Sequence, residues 1–520
     1  MTEAFRSEIE QGYTFEGPSI VLGGAMLGEE TLHKALVRIP LGTLNRHGLI
    51  AGATGTGKTK TLQIIAEQLS REGVPSLLMD IKGDLSGIAV ASDGHPKIDE
   101  RHAAIGIPFT AGASPVELLS LSEEPGARLR ATVLEFGPVL FSKMLGLNDT
   151  QSGIIAVTFK YAEDHDLPLL DLKDLRKVLQ YLINEGKDEA EKEYGRISTA
   201  SVGAIMRRVV ELEGQGAEKF FGERSFDVED LTRIDELGRG IVSIVRLTDV
   251  QDRPKLFSTF MLQLLAEIYA TFPEEGDLDR PKLVVFIDEA HLIFEEATDA
   301  LLDQLEAIIK LIRSKGVGLI FVTQNPADIP ADILGQLGLK VQHALRAFTA
   351  RDRKAIKLAS ENYPLSKYYD IDQTLTELGT GEAFVTALDR KGRPTPLART
   401  LLRAPESRMD ILSDREIDRL VANSPLVRKY NEAIDRKSAY EILEAKLARA
   451  REAEHQETIE EQREKAERTT TSRRRGADKS MFERIMSNTT TRQIGRTVAR
   501  ELTRGLLGAL GIRSTRRRRR

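Results

Sequence analysis

Short apolar runs that end on polar residues alternate with stretches of helical spacing in two separate parts of the chain. The first part holds an apolar run at 47–51, a helix-like segment at 60–71 and a second run, Pro75-Ser76-Leu77-Leu78-Met79-Asp80. The second part opens at Gly240-Ile241-Val242-Ser243-Ile244-Val245. It continues through a helix at 255–269, a strand at 283–287, a helix at 300–315 and strands at 317–323 and 340–345. Strands in alternation with helices predict a parallel sheet covered on both faces. Between the two parts, residues 130–147, 150–164, 172–185 and 198–213 show helical apolar spacing with charged interruptions, which predicts a mostly α insertion.

The flanks read differently. Residues 12–45 alternate apolar and small side chains (Ser19-Ile20-Val21-Leu22-Gly23-Gly24), as short strands do, and 383–388 and 396–402 predict strands that finish the sheet edge. From 436 to 468 the chain becomes a charged helix. Tyr440, Leu443, Leu447 and Ala450 keep a 3-4-3 apolar spacing, after which Glu454 and Glu457 occupy the seam. A solvated helix with one packed end and a coiled coil both remain open. Thr469-Thr470-Thr471-Ser472-Arg473-Arg474-Arg475-Gly476 reads as a linker. The expected division is a short N-terminal β segment (1–45), an α/β core (46–94 and 236–405), a helical insertion (95–235), a charged helical extension (406–468) and a basic linker with an amphipathic helix (469–520).

Composition narrows the chemistry. The chain's 520 residues exceed one hydrophobic core. The absence of cysteine excludes disulfides, thiolate zinc sites and a cysteine nucleophile. No run of 18 apolar residues exists, and Glu3, Glu8 and Glu10 oppose Arg6 in what would be a signal peptide, so the expected compartment is the cytoplasm. The net charge of −5 conceals an asymmetry: residues 468–520 hold 16 Lys and Arg against 3 Asp and Glu, leaving −18 on the rest. Within this tail Arg492, Arg496, Arg500 and Arg504 recur every four residues. Ile494, Val498, Leu502, Leu506 and Leu510 recur on the roughly opposite face, and the chain ends in five arginines. Such a helix suits nucleic-acid phosphates, an anionic membrane or an acidic protein, or packs on its own chain.

The most specific chemistry is Gly52-Ala53-Thr54-Gly55-Thr56-Gly57-Lys58-Thr59, which matches G-x-x-x-x-G-K-[ST] at every fixed position between a strand and a helix. Glycines there let backbone N–H groups close on phosphate oxygens, and the helix N-terminus adds its positive dipole end. Residues 52–60, with Lys60 closing the segment, are the expected nucleotide cradle. Lys58 reaches the β/γ-phosphates of ATP and the Thr59 hydroxyl holds Mg²⁺. The apolar strand Leu283-Val284-Val285-Phe286-Ile287 ends on Asp288 and Glu289. Asp288 is expected to hold Mg²⁺ and Glu289 to polarise the attacking water, which favours an NTPase over a kinase. Gln324, after the strand ending at Thr323, is a candidate γ-phosphate sensor.

In this order the P-loop, long insertion, I-D-E-A-H (287–291) and V-T-Q-N-P (322–326) resemble the HerA/FtsK branch of RecA-like motor ATPases. The phrases at 45–50, 80–85, 312–318 and 335–338 are similar to bacterial HerA-like proteins, and the resemblance runs from about residue 40 to 440. It implies a RecA-like P-loop fold and a homohexameric ring with ATP between neighbouring subunits. It maps trans-acting arginines onto Arg313 and Arg46, with Arg346 as a weaker candidate, and places Asp80 as an acid supporting the metal or Lys58. The 45 or so residues before the P-loop are too few for the small barrel of archaeal relatives. A DNA translocase or helicase leads the functional expectations. A motor acting on protein or another polymer and a nucleotide-regulated scaffold are the alternatives, since no aromatic-interleaved basic patch marks the core and tryptophan is absent.

Overall fold

The apolar runs pair side by side into one mixed sheet. The computed structural model describes residues 1–475 except 251–252, 277, 295–298, 348, 433 and 435. Among these residues the strands are β1 (Ser19–Leu27), β2 (Glu30–Pro40), β3 (Gly48–Ala51), β4 (Ser76–Asp80), β5 (Val116–Ser120) and β6 (Ala127–Arg128). They continue with β7 (Val242–Arg246), β8 (Leu283–Ile287), β9 (Val317–Thr323), β10 (Leu339–Gln342), β11 (Glu382–Thr386) and β12 (Ala398–Leu402). The order across the sheet is β2-β1-β12-β11-β10-β3-β9-β8-β4-β7-β5-β6. From β10 to β6 every pairing is parallel, and β11, β12, β1 and β2 are added antiparallel. The parallel strands therefore deliver all their C-terminal ends to one edge, where an open α/β sheet binds ligands.

The central strands are apolar without alternation because both faces are covered. Every residue of β3, β4, β8 and β9 is buried. The strands at 283–287 and 317–323 end where the sequence pattern places them. The late strands turn antiparallel, so β11 and β12 extend the sheet rather than continue its parallel run. The N-terminal segment opens with a helix, Thr2–Gly12, before the β1–β2 hairpin that closes this edge.

The region expected to be a helical insertion is helical at Val133–Met144, Asp149–Asp164, Leu172–Ile183, Lys187–Tyr194 and Thr199–Gly214. The first of these breaks at Gly137-Pro138, where φ turns positive and proline removes a donor. The same region also supplies β5 and β6, which join the sheet beyond β7. Two and five residues are too short to show a period. β5 also buries a charged residue, Glu117, which is paired with Arg233 at 2.9 Å.

The described residues divide into two units after Glu444. The helix Ala439–Arg475 runs through the stretch expected as a linker at 469–475. In the second unit residues 448–465 are all exposed, as a solvated charged helix requires. The basic helix expected at 492–510 and the terminal arginines lie outside the described residues. Among the described residues no helix is long and apolar enough to cross a membrane.

Candidate functional site

The P-loop leaves β3 at the C-terminal edge of the sheet and enters the helix Lys58–Arg71. Two positions need glycine: Gly52 has φ 154° and a Cβ there would lie 2.5 Å from that of His343, and Gly57 caps the helix in the left-handed region at φ 114°. The loop is anchored at its start, where Gly52 N donates to Thr323 O (3.2 Å) and Ala53 N to Ala344 O (2.8 Å). Thr56 Oγ1 donates to Ala53 O at 2.7 Å. Thr54 and Gly55 at the tip are exposed. Lys58 is buried, and its ammonium donates to the Gly52 and Ala53 carbonyls at 2.7 and 3.2 Å. Burial and the nearby Lys82 charge lower its pKa, while Glu289 and Asp288 oppose that shift. Lys60 points elsewhere, donating to Met409 O at 2.7 Å. His343, which follows β10, is buried and bonds Thr61 Oγ1 through Nε2 at 2.9 Å; burial and the Lys58 charge push its pKa down to about 4. A neutral imidazole thus braces the P-loop helix without adding repulsion against Lys58.

Asp288 and Glu289 leave β8 at the same edge. Asp288 is 2% exposed; its Oδ1 accepts from Glu289 N at 2.9 Å and its Oδ2 has no hydrogen-bond partner. Burial pushes its pKa up to about 6, with Lys82 pulling the other way. Asp80, at the end of β4, accepts from the backbone N–H groups of Gly83, Asp84 and Leu85 (2.8, 3.1 and 3.3 Å). Burial, then the Asp84 charge, pushes it up to about 7. This bonding makes Asp80 the brace of the turn at 81–85. Glu289 sits at φ 45°, is 6% exposed and is ion-paired with Lys82, with His291 Nδ1 at 3.3 Å.

The donor set fits magnesium. The ion keeps several waters and binds through one or two carboxylates plus phosphate oxygens rather than a protein cage. Among the described residues no group of three His, Asp or Glu is arranged as such a cage. The orphaned, buried Asp288 Oδ2 is the oxygen such an ion satisfies, with the Thr59 hydroxyl from the second helical residue as its companion. Gln324 is exposed just past β9, and Arg346 is exposed past β10, both on this edge.

Arg46 and Arg313 occupy the other edge. Arg46 ends a 3₁₀ turn (Leu41–Arg46) before β3, and Arg313 opens one (Arg313–Lys315) before β9. β9 alone spans roughly 23 Å at 3.3 Å per residue. Neither arginine reaches the P-loop of its own chain. Arg313 is exposed, and among the described residues neither arginine has an ion pair. His47 ties the two segments together: Nδ1 accepts from Leu319 N at 3.1 Å and Nε2 donates to Ile309 O at 2.8 Å. It is 3% exposed, at φ 60°, and burial pushes its pKa down to about 4.

Lys82 and His47 lie inside the family-like phrases at 80–85 and 45–50 without a role of their own there, and His343 lies in none. The only sequence signal for Lys82 is a lysine two residues past a strand-ending acid. The two histidines are found only by strand pairing.

A family model described as Helicase HerA-like C-terminal matches residues 26–518. The chain is similar to the DNA double-strand break repair helicase HerA of Sulfolobus acidocaldarius, 24% identical over 374 residues, 70% of this chain and 66% of the relative. It is similar as well to that of Sulfurisphaera tokodaii, 26% identical over 365 residues, 67% of this chain and 64% of the relative. The chain thus spans just under two thirds of the length of these relatives. Among solved structures it is similar to the bacterial conjugative coupling protein TrwB, with 14% identity and a TM-score of 0.48, over 78% of this chain and 94% of that one. With nearly the whole sheet, the P-loop and the acid pair inside the matched residues, the chain belongs to the HerA-like helicase C-terminal family of P-loop ATPases.

Proposed function

We propose that the protein hydrolyses ATP with Mg²⁺ as one subunit of a ring that moves along or unwinds DNA. The observation that carries this reading is the split of charged groups between the two sheet edges. Lys58, Thr59, Asp288 and Glu289 gather at one edge, and at the other Arg46 and Arg313 have no ion pair among the described residues. Lys58 and the loop N–H groups bind phosphate, and Thr59 with Asp288 holds magnesium, which supplies charge neutralisation when bound. Glu289 takes a proton from water. Arg313, and with it Arg46, reaches the phosphates held by the next subunit, so that only a closed set of copies has complete sites. The names of the relatives support DNA as the polymer, and they support it for proteins longer than the matched region.

ATP turnover measured alone, with duplex DNA and with single-stranded DNA tests the assignment. Turnover is expected to rise with one of the two DNA forms. Intact hydrolysis that no DNA changes overturns the DNA reading and leaves a motor acting on protein or another polymer. Sedimentation velocity with ATP is expected to give a hexamer, and a monomer at micromolar concentration removes the shared site.

A further inference from the structure

The ion pair between Lys82 and Glu289 does nothing to cradle a nucleotide, yet it occupies the group that hydrolysis needs free. Glu289 is held at φ 45°, a conformation strained for a non-glycine residue, so its backbone is over-determined by the surroundings. Only its side-chain torsions remain to aim the carboxylate. Among the described residues neither of its oxygens meets a donor in hydrogen-bond geometry. Lys82 Nζ closes on Oε1 as a charge partner, and His291 Nδ1 stands 3.3 Å from Oε2.

Lys82 arrives from the strand beside the catalytic one, since β4 pairs with β8 in parallel register. Its turn is rigid because Asp80 accepts three consecutive backbone N–H groups from it. A fixed turn therefore presents one long, flexible side chain that is 39% exposed, against 7% for Glu289. An ammonium closed on a carboxylate oxygen blocks the lone pair that would accept a proton from water.

We propose that Lys82 is a latch on the hydrolytic base, a positioning residue that stores Glu289 in an unreactive ion pair and frees it by swinging into solvent. This rests on the ATPase reading above. With Lys82 engaged, Glu289 does not turn toward water. With Lys82 withdrawn, Oε1 is free to accept a proton from water, while His291 Nδ1 stays beside Oε2.

Steady-state ATP turnover of the full chain, without DNA, tests the latch in Lys82→Met, Lys82→Gln and Lys82→Arg. The expected result for Met and Gln is a kcat about fivefold or more above wild type with KM within about twofold, and a wild-type rate for Arg, which keeps the cation. Activation of both neutral variants at unchanged KM, with the wild-type rate kept by Arg, is a pattern that a merely structural role does not give. An unchanged or reduced kcat in both neutral variants, with wild-type melting curves and an active wild type, overturns the proposal. If wild type and variants bind ATP and none hydrolyses it, the ATPase reading fails and the latch falls with it.

Discussion

At one edge of the sheet the charged groups are buried and crowded; at the other, among the described residues, Arg46 and Arg313 make no ion pair. Lys58, Asp80, Asp288 and Glu289 are each 6% exposed or less, and all three whose pKa moves are displaced toward the neutral form by burial. Arg313 stands in solvent before β9, and Arg46, half-buried, ends the turn before β3. Buried charge without a full set of partners is costly, so the first edge is built for something that completes it. Arg313, being exposed, carries no such cost. Under the proposed function the two edges are half-sites, and the span of β9 keeps Arg313 and Lys58 of one molecule apart.

Breaking the buried edge gives the largest expected effect. Lys58→Ala is expected to lose ATP turnover by more than about 10³-fold and nucleotide binding with it, read by titration with a fluorescent nucleotide. Retained binding would show that the cradle is elsewhere. At the open edge, Arg313→Ala is expected to lose about 10³-fold in turnover while binding nucleotide as wild type does. Mixing it with Lys58→Ala sharpens the comparison. Each variant supplies the half the other lacks, so the mixture is expected to regain activity that neither has alone. No recovery would mean that Arg313 does not serve a neighbour.

Glu289→Gln is expected to cost about 10²-fold or more in kcat with ATP affinity kept, and a fast variant would strip Glu289 of its role. His47→Ala removes two buried hydrogen bonds that join the Arg46 and Arg313 segments. It is expected to lower stability by about 2 kcal/mol, read by urea unfolding, and to lower turnover without weakening nucleotide binding.

The smallest effect is a gain. The Asp288 pKa is raised from 3.8 to about 6 in the fold. Its contribution to stability is therefore complete below the unfolded value and lost as pH rises through about 6. Asp288→Asn, without magnesium, is expected to be about 2 kcal/mol more stable than wild type at pH 8 and nearly equal to it at pH 4. An equal difference at both pH values would show that burial does not strain this carboxylate.

What the chain discloses before folding follows the range of the interactions concerned. β8 and β9 were legible to the residue because burial on both faces demands unbroken apolar runs, and Gly52–Thr59 and Asp288-Glu289 because phosphate chemistry restricts residue type at fixed spacing. β5 was hidden because five residues with a buried Glu117 carry no period, and its ion pair with Arg233 joins positions 116 residues apart. Lys82, His47 and His343 were hidden for a related reason. Their partners lie across strands, Lys82 with Glu289 through β4 and β8, and His343 with Thr61 through β10 and β3. The separation of Arg46 and Arg313 from Lys58 became visible only when the strands proved parallel.

β9 joins the two edges physically. It starts four residues after Arg313 and ends at Thr323, whose carbonyl receives the first N–H of the P-loop. A fully buried seven-residue strand is stiff in its interior packing. In an assembly of the proposed kind, a tug on Arg313 from a neighbour's phosphates would travel along this strut to the subunit's own loop. Firing order around such a ring would then be set mechanically, by a single strand that gives each subunit news of the one beside it.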